Sequence, residues 1–468
     1  MAAPSSLKGL LFLSLLAFCF GKTANEWKSR VVYQIITDRF GRDDGSASGC
    51  GDMWHYCGGT WRGIMNHLDY ISALGVNAIW ISPIPLNIEG AYHGYAAKDL
   101  AQLNPHFGSS DDLKNLINAC HKKDIWVMAD VVANHMGNPG NEDFSQLHPF
   151  NNETYYHRRC QINNYQNQTE VEFCRLADLP DLDQDNTYVR SQLYQWVRST
   201  VATYGFDGIR IDTIPEVNKA FWPGFAQAAG VFQLGEVFDG RVDYVAGYQA
   251  VIDATLSYPM YFTLRDVFQR QASVRRIADT LSAYDRYFKD QTVLGTFLDN
   301  HDNPRFLQGQ SDYTLYQNGL AYVLMTEGVP LLYYGTEQGF SGGADPGCRE
   351  PLWPTRYAQS NPLFKFLQTV LQFRTSVALW NQGPQVERYI DDNFLAFTRG
   401  DVLTLVTNVG SNGPTVQRTL TYLPASYKDG TKLCNIFWPN DDCITVTGGK
   451  LDVALLRGET KIFYPKRA

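Results

Sequence analysis

Short apolar runs alternate with amphipathic helical patterns along most of the chain. Each run is rich in β-branched and aromatic residues, as expected of strands that are covered on both faces. Helical patterns lie between the runs, at residues 64–74, 111–122 with Ser110 as N-cap, 186–204 and 361–379. Eight strands are predicted: residues 31–38, 77–83, 125–132, the run that ends at Asp212, 231–237, about 251–257, 293–299 and 330–334.

Strands that alternate with helices predict a parallel sheet of the α/β class, and eight of them predict a closed (β/α)8 barrel, the TIM-barrel form. The alternative is an open, doubly wound sheet. Such a sheet normally carries a glycine-rich nucleotide-binding turn after its first strand, and no such turn follows residues 31–38. The sequence therefore favours the barrel.

Two stretches break the alternation. Residues 135–183 are rich in Asn, Gln and Tyr and show no strong helical pattern. We interpret them as a small domain inserted after the third strand, because so long a connection in a compact domain is usually functional. Residues 383–468 alternate apolar and polar positions between turn residues, which predicts an antiparallel β-sandwich domain. The barrel is then formed by residues 22–134 and 184–382.

The N-terminus has the pattern of a secretory signal peptide. Lys8 precedes an apolar stretch at residues 9–20, and Cys-Phe-Gly at 19–21 has the small-x-small form of a cleavage site. We therefore expect residues 1–21 to be removed, with cleavage after Ala24 as the alternative, and the protein to be secreted or delivered to the lumen of a digestive vacuole. No later segment has about 18 uninterrupted apolar residues, so we expect no attachment to a membrane.

Composition is that of an ordinary globular protein, with 44% hydrophobic and 19% charged residues among 468. The formal net charge is -8 and there is no basic run, which argues against nucleic acid or an anionic membrane surface as a partner. Nothing in the pattern points to assembly, and we expect a monomer.

The cysteines and two glycosylation sequons fit an oxidising, secretory route. Three pairs are close in sequence and predict disulfides. Cys120, inside a helical pattern, is expected to be a buried free thiol, and Cys348 is left over. The predicted bonds are Cys50–Cys57, Cys160–Cys174 and Cys434–Cys443, and the sequons start at Asn152 and Asn167.

Three acids end three of the predicted strands: Asp212, Glu236 and Asp302. The carboxyl ends of barrel strands share one face, where barrel enzymes hold their catalytic groups. Two carboxyl groups about 5–5.5 Å apart across a glycosidic bond make a retaining glycosidase, in which one attacks the anomeric carbon and the other protonates the leaving oxygen.

The surroundings suggest a role for each acid. Arg210 shares a strand face with Asp212, and a guanidinium keeps a neighbouring carboxylate ionised, which suits a nucleophile. Glu236 lies in an apolar strand, which favours the neutral form of a general acid. Asp302, between His301 and Arg305, takes the third place.

Five short motifs occur in order along the chain. They are Asp-Val-Val-Ala-Asn-His at 130–135, Leu-Pro-Asp-Leu-Asp at 179–183, Gly-Ile-Arg-Ile-Asp-Thr at 208–213, Gly-Glu-Val at 235–237 and Asn-His-Asp at 300–302. With these motifs, the chain resembles the α-amylase family of glycoside hydrolases, and within it the secreted fungal-type α-amylases.

The resemblance implies Asp212 as nucleophile, Glu236 as acid/base and Asp302 as transition-state stabiliser. It places an α-glucan substrate against the side chains of His93, Tyr95, His135, Arg210, Glu216, His301, Asp345 and Arg349. It also implies a structural Ca²⁺ ion between barrel and inserted segment, with oxygen ligands that suit a hard cation. The implied ligands are Asn134, Glu172, Asp181 and the peptide carbonyl of Glu216.

One dipeptide departs from the fungal pattern. Fungal-type enzymes carry Lys-His after the nucleophile motif, whereas this chain has Pro215 and Glu216. A glutamate there is similar to the neopullulanase and cyclomaltodextrinase branch. Two enzymatic hypotheses therefore stand: an endo-hydrolase of α-1,4 bonds in starch or glycogen, or a retaining transglycosylase or short-maltodextrin or cyclodextrin hydrolase with α-1,4/α-1,6 activity. A silent barrel used for binding is a third, which the three acids argue against.

Overall fold

The computed structural model describes residues 21–466. The predicted signal peptide, but for Gly21, lies outside the described residues. Eighteen strands are present in this range: β1 (Val32–Ile35), β2 (Ala78–Ile81), β3 (Pro85–Asn87), β4 (Ala97–Leu103), β5 (Trp126–Val131), β6 (Gly208–Ile211), β7 (Phe232–Gly235), β8 (Ala254–Thr255), β9 (Gly295–Thr296), β10 (Val329–Tyr333), β11 (Val386–Ile390), β12 (Phe394–Arg399), β13 (Val402–Thr407), β14 (Val416–Leu420), β15 (Lys432–Asn435), β16 (Cys443–Thr445), β17 (Leu451–Leu455) and β18 (Lys461–Pro465).

The α-helices of the same range vary in length from single turns to α7. They are α1 (Ala24–Trp27), α2 (Thr37–Phe40), α3 (Trp61–Asn66), α4 (Leu68–Leu74), α5 (Ser110–Lys122), α6 (Gln168–Phe173), α7 (Thr187–Tyr204), α8 (Trp222–Ala229), α9 (Val242–Ala246), α10 (Tyr258–Leu264), α11 (Arg275–Tyr287), α12 (Phe306–Gly309), α13 (Tyr313–Met325) and α14 (Pro362–Ser376).

Eight parallel strands form the predicted barrel, in the order β8-β7-β6-β5-β2-β1-β10-β9. A parallel bridge between Leu256 and Gly295 joins its two edges. Alternate side chains along β6 point to opposite sides, as the sequence predicts: Ile209 packs in the layer between strands and helices, whereas Arg210 is fully buried next to Trp80. The (β/α)8 fold is confirmed.

The C-terminal strands form a separate antiparallel unit, as predicted. Six of them make one sheet in the order β11-β12-β13-β18-β15-β16, and β14 pairs with β17. Alternate residues from both pairings, including Leu405, Val416, Leu433 and Leu451, close a core of their own. This core explains the strict alternation that the sequence shows after residue 383.

Several predicted boundaries were wrong. The sixth and seventh barrel strands shrink to two paired residues each, β8 and β9, because their flanking residues turn into α10 and into the loop that carries Asp302. His67 breaks the predicted helix 64–74 into α3 and α4. The N-cap of α5 is Ser109 and not the predicted Ser110. The hydroxyl of Ser109 accepts a hydrogen bond from the backbone N–H of Asp112.

One element was not predicted at all. β3 and β4 form an antiparallel hairpin in the long connection after β2. Its pairing is short and its register shifts twice, so it leaves little periodic signal in the sequence. The turn of this hairpin carries His93 and Tyr95.

The three predicted disulfides are present, Cys50–Cys57, Cys160–Cys174 and Cys434–Cys443. Cys120 is buried and free, as predicted, and so is Cys348. None of the helices described between residues 21 and 466 is long and apolar enough to cross a membrane.

Candidate active site

A buried arginine holds three carboxyl groups at the carboxyl end of the barrel strands. Nη1 of Arg210 lies 3.0 Å from Oδ1 of Asp130 and donates to Oδ1 of Asp212 at 2.7 Å. Its Nη2 lies 2.8 Å from Oε2 of Glu236. Asp212 and Glu236 follow the adjacent strands β6 and β7, so one guanidinium links the carboxyl groups at the ends of these two strands.

Asp130 is the partner that sequence reasoning missed. Its carboxylate accepts from Nε1 of Trp80 at 2.9 Å and from the hydroxyl of Tyr95 at 2.7 Å. It faces Arg210 because β5 and β6 pair with these two residues in register. The inward position of Asp130 in its strand was a signal, but only the register between strands joins it to Arg210.

Beside its contact with Arg210, Glu236 has only two hydrogen-bond donors among the described residues. The hydroxyl of Tyr258 donates to Oε1 at 3.3 Å, and the backbone of Thr213 donates to Oε2 at 3.3 Å. Tyr258 is itself held by Nδ2 of Asn300 at 2.8 Å. Neither Tyr258 nor Thr213 was among the predicted site residues.

Burial and like charges raise the pKa values of the two inner acids by different amounts. Burial raises the pKa of Asp212 to about 6, against the opposing charge of Arg210. The pKa of Glu236 rises to about 8, again through burial, with further contributions from Asp212 and Asp302. At neutral pH, Asp212 is therefore ionised and Glu236 protonated.

Asp302 is the most exposed of the three acids, with 32% of its side chain accessible. Its Oδ1 lies 3.5 Å from both Nε2 of His301 and Nη2 of Arg349. Arg305, which the sequence places nearby, points away and donates to Glu350 instead. Asp302 thus projects into open space with a cation and an imidazole beside it.

The imidazoles of the site are neutral and have defined tautomers. Burial lowers the pKa of His93 to about 3, that of His135 to about 4 and that of His301 well below its usual range. Gln34 donates to Nδ1 of His301, so the proton of His301 lies on Nε2, towards Asp302. The backbone of Tyr95 donates to Nδ1 of His93 at 3.0 Å, which leaves the Nε2 proton of His93 free to donate.

These groups surround one cavity of about 600 Å³. Asp345 lies at its far end, in an ion pair of 3.1 Å with Arg349 and within hydrogen-bond distance of Tyr92. Nearly all the predicted substrate residues meet here, while Arg210 lies beneath the floor. The predicted residues that line the cavity are His93, Tyr95, His135, Asp212, Glu216, Glu236, His301, Asp302, Asp345 and Arg349.

The opposite end of the cavity is more apolar. Pro215 and Glu216 lie there, with the exposed aromatic rings of Tyr165 and Phe238. Oε2 of Glu216 is shielded from solvent and has no hydrogen-bond partner among the described residues. Burial raises the pKa of Glu216 to about 8, and the charge of Glu236 adds to the effect.

Three oxygen atoms that could act as metal ligands converge beside the inserted segment. His135 donates from Nε2 to the carbonyl of Tyr95, so as a neutral ring it accepts at Nδ1 from the amide nitrogen of Asn134. The amide oxygen of Asn134 then faces Oδ1 of Asp181 at 2.9 Å and the carbonyl of Glu216 at 3.0 Å. The amide oxygen of Asn134 thus lies beside two further acceptors, an arrangement that a hard cation would satisfy.

Glu172, the fourth predicted ligand, makes a different contact. Its Oε1 accepts from Gln168 at 2.8 Å, and the same amide nitrogen donates to the carbonyl of Pro215 at 3.0 Å. Among residues 21–466 no group of three or more His, Cys, Asp or Glu side chains is arranged for a metal ion. The three converging oxygens described above come from one side-chain amide, one peptide carbonyl and only one carboxylate.

Comparison with known proteins decides the family. The model of the α-amylase catalytic domain matches residues 34–353. The chain belongs to the α-amylase family. It is therefore a glycoside hydrolase of that family.

Fungal α-amylases are among the relatives of this α-amylase family member. It is 38% identical to α-amylase 2 of Schwanniomyces occidentalis over 94% of its own length and 91% of the relative's. It is 41% identical to α-amylase 1 of Lipomyces kononenkoae over 80% of its length, but spans only 61% of that protein. The solved structure of an α-amylase from Malbranchea cinnamomea has a TM-score of 0.91 and 38% identity, covering 95% of this chain and 97% of that one.

The unequal burial of the charged groups predicts unequal effects on stability. Arg210→Lys removes the fork that reaches three acids, and a single ammonium group cannot replace all of its contacts with these buried carboxyl groups, a cost of about 3 kcal/mol or more. Asp302→Asn changes a half-exposed group with long contacts and costs less than about 1 kcal/mol. Thermal unfolding of both variants, followed by circular dichroism, measures the difference. Equal melting temperatures would contradict the role of Arg210 as the central tie.

Proposed function

We propose that the protein is a secreted, retaining endo-hydrolase of the α-1,4-glucosidic bonds of starch and glycogen. The observation that carries this proposal is the pair Asp212 and Glu236. Both contact one guanidinium, so they lie close together, yet their pKa values are raised to different levels. Two close carboxyl groups with opposite protonation at neutral pH are the requirement of a retaining glycosidase.

Asp212 acts as the nucleophile in this proposal. Its Oδ1 is held by Arg210, and Thr213 donates to Oδ2 at 3.1 Å, so both oxygens have fixed directions. The carboxylate attacks the anomeric carbon as the bond to the leaving oxygen breaks, forming a covalent glycosyl-enzyme. The positive charge of Arg210 stabilises the ionised carboxylate of Asp212 in its buried surroundings.

Glu236 acts as general acid and then as general base. Protonated at neutral pH, it gives its proton to the leaving oxygen, which departs as a hydroxyl. As a carboxylate it then takes a proton from the water that attacks the glycosyl-enzyme, and the net configuration is retained. Its weak contacts with Tyr258 and Thr213 leave it free to cycle between the two states.

Asp302 and the neutral imidazoles hold the sugar whose bond is cleaved. An exposed carboxylate facing the cavity accepts from sugar hydroxyls and stabilises positive charge at the anomeric carbon. Nε2–H of His93 and of His301 are directed donors, and the ring of Tyr95, stacked on His301 at 5.3 Å, offers a flat apolar face. Arg349 and Asp345 bind hydroxyls at the far end.

A calcium ion is part of the proposal, held by Asn134, Asp181 and the carbonyl of Glu216, with Glu172 as a further ligand. When bound, the ion supplies charge that ties the inserted segment to the barrel. The three converging oxygens support this assignment. Since Glu216 is also a cavity residue, the ion would fix the position of the apolar end of the active site.

Export is proposed from the predicted signal peptide, together with three disulfides among the described residues. Asn152 and Asn167 are both exposed, and each caps a short helical turn. N-linked glycans at these two positions would therefore extend into solvent. No basic surface run suggests another macromolecule, and we propose a monomer acting on a glucan.

A second candidate is transglycosylation, or hydrolysis of short or cyclic dextrins. It is favoured by Pro215 and by the partnerless, buried oxygen of Glu216 at the apolar end of the cavity. A carboxyl group there can hold a second sugar in place of water. Acceptor binding of this kind diverts the glycosyl-enzyme from hydrolysis to transfer.

Substitution of the two inner acids tests the mechanism. Glu236→Gln removes the transferable proton and Asp212→Asn the nucleophile, and each is expected to lower kcat on amylose by about 10²–10⁴-fold or more. Glu89→Gln, a similar change at an exposed position, is the control and leaves kcat unchanged. Nuclear magnetic resonance of fresh products should show the α-anomer, and a β-anomer would exclude the retaining route.

The pH dependence follows from the same two groups. Activity requires Asp212 ionised and Glu236 protonated, so kcat should rise as pH passes about 6 and fall as it passes about 8. Initial rates on maltoheptaose across this range measure both limbs, with circular dichroism to show that the fold persists. A rate that stays constant from acidic pH to above 9 would remove these two acids from their roles.

A time course of products from amylose, with and without EGTA, separates the two candidate functions. The first predicts early oligosaccharides of mixed length. Products longer than a maltoheptaose substrate would favour transfer instead.

EGTA should lower the melting temperature of the wild type but leave that of Asp181→Asn unchanged, because this variant has already lost a ligand. An equal shift in both proteins would place the calcium elsewhere.

A further inference from the structure

A second cavity lies outside the active site, between α7 and the hairpin β3–β4. Its volume is about 670 Å³, compared with about 600 Å³ for the catalytic cavity. One wall is a face of α7, where lining residues recur at helical spacing from Gln192 to Tyr204. The other wall is β4 from Asp99 to Leu103. We call this cavity the α7 groove.

Polar groups on the helical wall have no partner in the protein. Gln192, Gln195 and Trp196 make no side-chain hydrogen bond to any residue between 21 and 466, although all three line the groove. The two amides offer donors and acceptors, and the indole offers one donor. Trp196 is half-buried and packs against the main core, which holds its ring in place.

The charge of the groove selects a neutral ligand. No lysine or arginine lines it. The one carboxylate, Asp99, is already satisfied, because Oδ1 accepts from the backbone of Ala101 at 2.8 Å and Oδ2 from Gln102 at 2.7 Å. A phosphate or carboxylate ligand would find no lysine or arginine here and only the imidazole of His148, and a cationic ligand would find only this engaged acid.

We propose that the α7 groove is a second binding site for an α-glucan chain. A ring for stacking, flanked by amides and by the hydroxyls of Ser199 and Thr203, is the chemistry that binds neutral polyhydroxyl chains. The proposal rests on the glucan substrate proposed above. The groove adds a site at which the glucan is bound but not cleaved, since no unpaired acid faces the groove.

The position of the groove gives binding there a consequence. The hairpin that forms its wall also carries His93 and Tyr95 in its turn, and both line the catalytic cavity. A long glucan held in the groove is thereby kept on the same element as the active site. The groove should matter for long chains and not for substrates that fill only the catalytic cavity.

Isothermal titration of Glu236→Gln protein with maltoheptaose tests the proposal, since this protein binds without rapid cleavage. We expect two sites per chain. Adding Gln192→Ala and Gln195→Ala should weaken one site by about tenfold and leave the other unchanged. Thr203→Arg, at an exposed position, should block the same site by filling it. Arg198→Ala on the outer face of α7 and Gln372→Ala on α14 are the matched controls, and both keep two sites.

Kinetics of the active enzyme provide an independent readout. The groove variants should raise KM for amylopectin several-fold and leave kcat/KM for maltotriose unchanged. One site per chain in the Glu236→Gln protein, or unchanged binding and KM in both groove variants, would overturn the proposal. Failure of the glucan-hydrolase proposal would look different, because the wild type itself would then leave amylose uncut.

Discussion

The pairing of one buried guanidinium with three carboxyl groups is the interaction on which the active site depends. Arg210 is fully buried, and a lone cation in that position would cost several kcal/mol. Asp130, Asp212 and Glu236 compensate for it from three neighbouring strands. The arginine in turn permits carboxylates to exist in the closed end of a barrel, where burial alone would keep them protonated.

This arrangement explains how two acids of similar structure come to differ. Asp212 shares Nη1 of Arg210 with Asp130 and receives a further bond from Thr213. Glu236 contacts the other nitrogen and otherwise has only weak donors. Burial is the main cause that raises both pKa values, to about 6 for Asp212 and about 8 for Glu236, and for Glu236 the charges of Asp212 and Asp302 add to it.

The elements added to the barrel decide what surrounds these acids. The hairpin β3–β4 supplies the neutral imidazole of His93 and the stacking face of Tyr95, whereas the inserted segment supplies Tyr165 and the oxygen of Asp181. Oxygens of Asn134, Asp181 and Glu216 bring that segment close to the loops after β5 and β6, where the proposed calcium ion would join them. The surroundings of the three acids therefore depend on loops that the pattern of strands along the sequence does not describe.

The sequence by itself determined the barrel, the antiparallel C-terminal unit and the disulfides, because each depends on local signals: apolar periodicity, turn residues and cysteines close in the chain. It also singled out Asp212, Glu236 and Asp302, since each ends a strand. It did not reveal Asp130 as the second partner of Arg210, because that contact requires β5 and β6 to pair in one register. Nor did it reveal the hairpin β3–β4, the apolar setting of Glu216 or the α7 groove. Those features arise where segments far apart in sequence meet, and only the tertiary structure decides such meetings.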